Sequence, residues 1–206
     1  MKKCWSSLAT LGLLCAASAH AGTVSGKVRL ANPAGAGAKE AVVVWLEGQD
    51  RPKPPEGSVR IAQKNLQFSP GFVVAVQGQK IEMPNYDDVS HNVYSFTGMN
   101  QFNLGVSAKG DYRSLTFGKA GIVDVFCSIH HQMHSRVFVV PTRYFASIMP
   151  GQPFNIADVP PGKYVLKVWH ERSRMLEKTV IVPRTGVLSQ NLVLENSTAP
   201  ATTAKQ

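Results

Sequence analysis

Cysteine is scarce in this chain: three residues in 206, with Cys4 and Cys15 both inside the first 21. That opening stretch carries Lys2 and Lys3, an apolar run from Leu8 to Ala17, and then Ala19-His20-Ala21. These are the charged, apolar and small-residue parts of a secretory signal cleaved after Ala21, which places the mature chain in an exported, periplasmic setting. Removal of residues 1–21 leaves Cys127 alone and excludes an intramolecular disulfide. A lone thiol in an oxidising compartment is a hazard unless it is buried, paired with another chain, or held by a metal. Leu14 stands before Cys15 where a lipid-anchoring signal needs a small residue, and no later run is long and apolar enough to span a bilayer. A dense basic run is missing too. The net charge of +9, or +7 without Lys2 and Lys3, is scattered, which argues against nucleic acid as a partner and leaves a basic face able to steer an acidic protein. Neither G-x-S-x-G nor H-E-x-x-H occurs, and a single cysteine held by a metal would leave no free thiol to pair with a histidine, so no enzymatic activity is expected.

No convincing amphipathic helix occurs either. Short stretches rich in Val, Ile, Phe and Thr alternate with Gly, Pro and Asn, which is the pattern of an all-β sandwich. "TVSGKVRL" and "EAVVVWLEG" read as two strands, and the prolines of "RPKPPEG" (51–57) as a stiff junction. From Val59 follow "VRIAQKNLQFSP", "FVVAVQGQKIEM", "SHNVYSF", "YRSLTFG", "GIVDVFC" and "SRVFVV". After Pro141, "PFNIADVPPGKYVLKVWHE" and "EKTVIVP" resume the strand pattern, with Tyr164, Leu166, Val168 and His170 on one face. Trp45 and Trp169 read as core of these flanks. The residues after Glu195 have almost nothing to bury, so 196–206 is expected to be a disordered tail.

The chemistry concentrates in "FCSIHHQMHSRVFVV", where one cysteine, three histidines and a methionine occupy eight positions at the mouth of a strand. Cys127, His130 and Met133 form C-x2-H-x2-M. Thiolate, imidazole and thioether are donors that soft copper favours, and a Cys-His-His set with a weak axial methionine is a blue-copper electron-transfer site. A second imidazole is needed. His91, at the start of an apolar strand in "NYDDVSHNVYS", is the best source, and a sandwich can bring its strand end beside that of Cys127. Asn92 is placed for hydrogen bonding near the thiolate. Zinc is the rival ion, since Cys and His suit it equally, but methionine does not. The alternative for His170 and Glu171, a secondary metal pair, is weaker than a hydrogen-bonded strand histidine. Met99 could border the copper face.

"FSPGFVVAVQGQKIEMPNYDDVSHNV" and "AGIVDVFCSIHHQM" resemble the two halves of a cupredoxin, the plastocyanin and amicyanin family. The resemblance rests on Phe68-x-Pro70, on Gly78 before a strand, on N-x-D-x-x-x-H from Asn85 to His91, and on the aromatic before C-x2-H. It implies a Greek-key sandwich over 57–140 holding one copper that cycles between Cu(I) and Cu(II), with ligands His91, Cys127, His130 and axial Met133. The flanks, 22–56 and 141–195, resemble the two parts of a transthyretin-type, carboxypeptidase-regulatory-like β-sandwich with the cupredoxin inserted. Together they resemble the exported plastocyanin-like proteins often labelled methylamine-utilisation proteins. The implied task is single-electron relay to a redox protein partner. The alternative is a periplasmic copper-tolerance protein that sequesters or delivers the ion, with the extra loop histidines His131 and His134 adding ligands or displacing Met133.

Overall fold

The apolar-polar alternation is realised as strands in the computed structural model, which describes residues 21–32, 40–48 and 53–197. Seventeen strands and no helix occur among the described residues: β1 (Gly22–Leu30), β2 (Val42–Glu47), β3 (Ser58–Arg60), β4 (Ala62–Gln63), β5 (Phe68–Ser69), β6 (Phe72–Val76), β7 (Lys80–Pro84), β8 (His91–Ser95), β9 (Phe102–Ser107), β10 (Tyr112–Thr116), β11 (Gly121–Phe126), β12 (His134–Val140), β13 (Phe145–Ile148), β14 (Pro153–Val159), β15 (Gly162–Trp169), β16 (Leu176–Val182) and β17 (Val187–Leu194). The export signal lies outside the described residues, and no helix among those described is long and apolar enough to cross a membrane.

Two packed sandwiches result. In the central one, the sheet β6-β12-β11-β8-β9 faces the sheet β10-β7-β3. Their inner faces bury Ile61, Ile81, Met83, Val93, Val123, Val125, Val137 and Val139. In the other, formed from both flanks, β14-β1-β17 faces β13-β2-β15-β16 over Val24, Val28, Val44, Leu46, Phe154, Leu166 and Val168. Tyr164, Leu166 and Val168 point into this core as the alternation predicts, and His170 is buried at the strand's end.

A third apolar layer joins the sandwiches, and it corrects the reading of the tryptophans. Trp45, with Val43, belongs to a cluster with Val76, Phe138 and Val140 from the central sheet, against which Trp169 packs. Trp45 and Trp169 therefore fill the seam between the two units, not the interior of the flanking one. β2 is buried on both faces: Val42, Val44 and Leu46 turn to one core and Val43 and Trp45 to the other. An unbroken V-V-V-W-L run is what burial on both sides requires. Arg136 on β12 reaches Asp124 (2.6 Å) and, across the seam, Glu171 (2.5 Å). Glu171 is thus engaged by Arg136 across the seam.

Three further differences from the sequence reading have local causes. "VRIAQKNLQFSP" is not one strand but β3, β4 and β5, because the chain reverses over Lys64–Gln67 with Asn65 and Leu66 both at φ 57°. β9 carries no clear strand pattern in the sequence, since Asn103 and Gly105 interrupt the apolar residues Phe102 and Leu104 that it turns inward. The tail remains paired further than its composition suggests: Asn196 bridges Ser173 and the Ser197 N–H donates to Arg172 O, while 198–206 lie outside the described residues.

On the outer face of β7, Glu82 accepts from the Tyr112 hydroxyl and faces Lys80 (3.2 Å) and Arg60 (3.4 Å). The hydrogen bonds from Tyr112 and then Ser58 lead in holding its carboxyl down, to about 2 from an ordinary 4.5. A carboxylate depressed on folding stabilises the protein above its unfolded value, and that contribution is lost as the pH falls through the folded one. Glu82→Gln is therefore expected to flatten the decline in stability between pH 4.5 and 2, read from urea midpoints across that range.

Candidate metal centre

Antiparallel β8 and β11 bring the start of one strand beside the end of the other, with Phe126 opposite Tyr94. His91 opens β8 and Cys127 follows β11, so residues 36 apart meet at one pole of the sandwich. The loop back to β12 is closed by the Met133 N–H donating to His130 O (3.0 Å), which turns His130 toward the same place. His91 Nδ1 and His130 Nδ1 lie 3.0 Å apart, and Cys127 Sγ lies 4.0 Å and 3.9 Å from them. His91, Cys127 and Met133 are buried and His130 is half-buried. Met133 shares the buried cluster of Cys127 and Val93. Among the described residues, His91, Cys127 and His130 form the one group of three or more such donors close enough to hold an ion.

The loop before His91 is fixed from within. Asn85 donates to Val89 O (2.9 Å) and Ser107 O (3.0 Å) and accepts from the Asp87 N–H (2.9 Å). Asp87 then meets His91 Nε2 at 2.8 Å. Burial pushes the Asp87 carboxyl up, but hydrogen bonds from the Leu66 N–H, the His91 ring and the Asn65 N–H outweigh it and hold the group below its ordinary value. An ionised carboxylate can only accept, so His91 Nε2 carries a proton and Nδ1 is the nitrogen left to face the site. That is the tautomer a metal ligand needs. Neither Asp87 nor Asn85 was assigned a role from sequence. The available signal was the N-x-D-x-x-x-H spacing, with a carboxylate four residues before a histidine.

Asn92 braces the residue that follows Cys127. Its Oδ1 accepts from the Ser128 hydroxyl (3.0 Å) and its Nδ2 donates to Asn103 Oδ1 (3.0 Å), tying the residue after Cys127 to β9. The extra histidines stand apart from the donor group. His131 is exposed, and His134 bonds Asp124 (3.1 Å) while stacking on Phe126 at 5.0 Å. His170 accepts from the Arg172 N–H (3.3 Å) and meets the Ser173 hydroxyl (3.2 Å) in the flanking unit. Met99 follows the far end of β8, beside Asn100, which bonds Lys119 ahead of β11. That is the pole opposite the donors, so Met99 does not border the site.

Residues 55–140 match the model of the copper binding proteins, plastocyanin/azurin family, a span of less than half the chain. No curated protein matches. Among solved structures, a copper-containing nitrite reductase from Thermus scotoductus SA-01 is 23% identical over 40% of this chain and 22% of its own, with a TM-score of 0.39. A purple cupredoxin from Nitrosopumilus maritimus is 22% identical over 40% of this chain and 99% of its own, with a TM-score of 0.37. The amicyanin of Paracoccus versutus (Thiobacillus versutus) is 21% identical over 46% of this chain and 97% of its own, with a TM-score of 0.36. The chain thus spans well under two thirds of the reductase. The family match agrees with the donor chemistry: a buried thiol and two imidazole nitrogens converge, with a thioether in the same buried cluster. Soft sulfur and imidazole donors of this kind fit one copper.

Proposed function

We propose that this chain is an exported type 1 copper protein that relays single electrons, with His91, Cys127, His130 and Met133 as its ligands. The observation that carries this reading is the convergence of the Cys127 thiol with the Nδ1 atoms of His91 and His130 within 4.0 Å at one pole of a rigid sandwich. Copper bound there supplies a one-electron couple. The residues supply the rest. Cys127 offers a soft anionic donor, and burial shields it from the oxidising surroundings. His91 is locked by Asp87, and the Cys127–Met133 loop is braced by Ser128–Asn92 and by the His130–Met133 turn, so the donors have little room to rearrange. His130, half-buried, stands between the interior and the surface and gives a redox protein partner its approach.

The unit over 57–140 is read as the copper carrier inserted between two parts of a carboxypeptidase-regulatory-like sandwich, 22–56 and 141–195. The flanking unit is the rigid support, joined through the aromatic seam. Removal of residues 1–21 delivers the chain to the periplasm. The rival reading, sequestration with help from His131 and His134, gains no support from their positions, since one is exposed and the other is engaged with Asp124.

The test is a redox titration of the copper-loaded protein. One electron per chain, fully reversible, with rapid exchange against a small electron carrier, is the expected result. Two or more coppers per chain with slow exchange would favour sequestration instead.

A further inference from the structure

We infer that Asp87 is a positioning residue that sets the copper reduction potential through His91, by holding the imidazole in its Nε2–H tautomer and placing a negative charge behind it; this rests on the copper reading above. The geometry is a relay of three elements. Asp87 Oδ2 lies 2.8 Å from His91 Nε2, and His91 is completely buried. The same carboxylate accepts the Asn65 N–H at 2.6 Å and the Leu66 N–H at 2.9 Å, both from the tight turn between β4 and β5.

That turn is otherwise ill suited to its sequence. Asn65 tolerates a positive φ, but Leu66 is a residue that rarely adopts one, and it holds φ 57° with no glycine to relieve it. Lys64 and Gln67 close the turn with paired backbone hydrogen bonds of 2.9 and 3.2 Å. Two successive N–H groups are thereby aimed at one acceptor, and Asp87 is that acceptor. The carboxylate is fixed from one side by the turn and meets the ligand ring on the other. It cannot swing away without leaving two backbone donors and the His91 proton unpaired.

The consequence for the site follows from charge. A carboxylate hydrogen-bonded to the far nitrogen of a ligating imidazole raises that ring's basicity and favours the more positive ion. Cu(II) gains more than Cu(I), so Asp87 lowers the potential. Loss of an outer partner of this kind typically costs ten- to hundredfold in metal affinity.

The experiment has two arms. In the first, nitrogen-15 NMR of the metal-free wild-type protein reads the His91 ring directly. A proton on Nε2 is expected, and an Nε2 without one overturns the inference whether or not any variant folds. In the second, Asp87→Asn and Asp87→Glu are loaded with copper and their potentials compared with wild type. Asp87→Asn is expected to keep the intense visible band while the ratio of Cu(II) to Cu(I) affinity falls about tenfold, an upward shift of 59 mV for a one-electron couple. Asp87→Glu, which keeps the charge, is expected to return at least half of that shift. An intact band with an unmoved potential in Asp87→Asn overturns this inference alone. A wild type without the band overturns the copper reading and this inference with it.

Discussion

Replacing Cys127 with Ser is expected to abolish the intense visible absorption of the copper-loaded protein and to weaken Cu(I) binding by more than about a hundredfold. Loss of an outer partner can already cost that much, and on the proposed reading Cys127 is an inner donor. The reason lies in the donor set. Among the described residues Cys127 Sγ is the one thiol sulfur within reach of His91 Nδ1 and His130 Nδ1, and no carboxylate joins that group. A hydroxyl offers neither the softness nor the charge of a thiolate. The fold should survive, because the neighbouring contacts do not run through the sulfur: His91 is held by Asp87, Ser128 by Asn92, and Met133 by His130 O. Circular dichroism and thermal unfolding of the metal-free variant test that separately from the copper titration. A Cys127→Ser protein that kept the band would show that the sulfur is not a ligand.

The second large effect is structural. Phe138→Ala is expected to cost about 3–5 kcal/mol, the usual range for truncating a buried Phe. Phe138 is 6% exposed and lies 5.5 Å from the ring of Trp45 and 4.7 Å from that of Trp169, so it is the central sheet's main contribution to the seam. The central sheet has few substitutes for it. Val76 and Val140 are smaller, Phe72 stacks on Trp169 at 6.2 Å but is only partly buried, and the Arg136–Glu171 ion pair lies at the rim, where Glu171 is 44% exposed and solvent weakens it. Denaturant unfolding of metal-free wild type and variant checks the figure. If the two sandwiches unfold as one cooperative unit in the wild type and separate in Phe138→Ala, the seam is what couples them. A loss below about 1 kcal/mol, less than a buried aromatic truncation costs, would mean that the two units are mechanically independent and that the flanks do not brace the copper pole.

The two halves of the site differ in how far the residues alone reveal them. Cys127 and His130 are legible as members of one donor group because their spacing is local, and the same short loop carries Met133 into the buried cluster beside them. His91 is legible because a histidine at the head of an apolar strand, after a polar loop, can reach a neighbouring strand's end in a sandwich. Asp87 was not, since its role depends on the Lys64–Gln67 turn more than twenty residues earlier, and a turn carrying leucine at positive φ gives no glycine signal. The same limit explains the tryptophans. The apolar run of β2 says that the strand is buried on both faces but not which core each face meets, and only the packing of Phe138 and Val140 reveals a seam. β9 was hidden because Asn103 is recruited to hold Asn92 and the Gly105 N–H, so a strand position carries a polar side chain for the benefit of the metal loop.

The measurement that bears most directly on the central claim is the combined visible absorption and EPR spectrum of the chain from Gly22 onward, loaded with one equivalent of Cu(II). An intense thiolate-to-copper charge-transfer band together with narrow parallel hyperfine splitting, saturating at one copper per chain, is the expected result. A pale spectrum with the wide splitting of ordinary tetragonal copper would contradict it, because it would mean that the folded protein does not use Cys127 as a strong ligand.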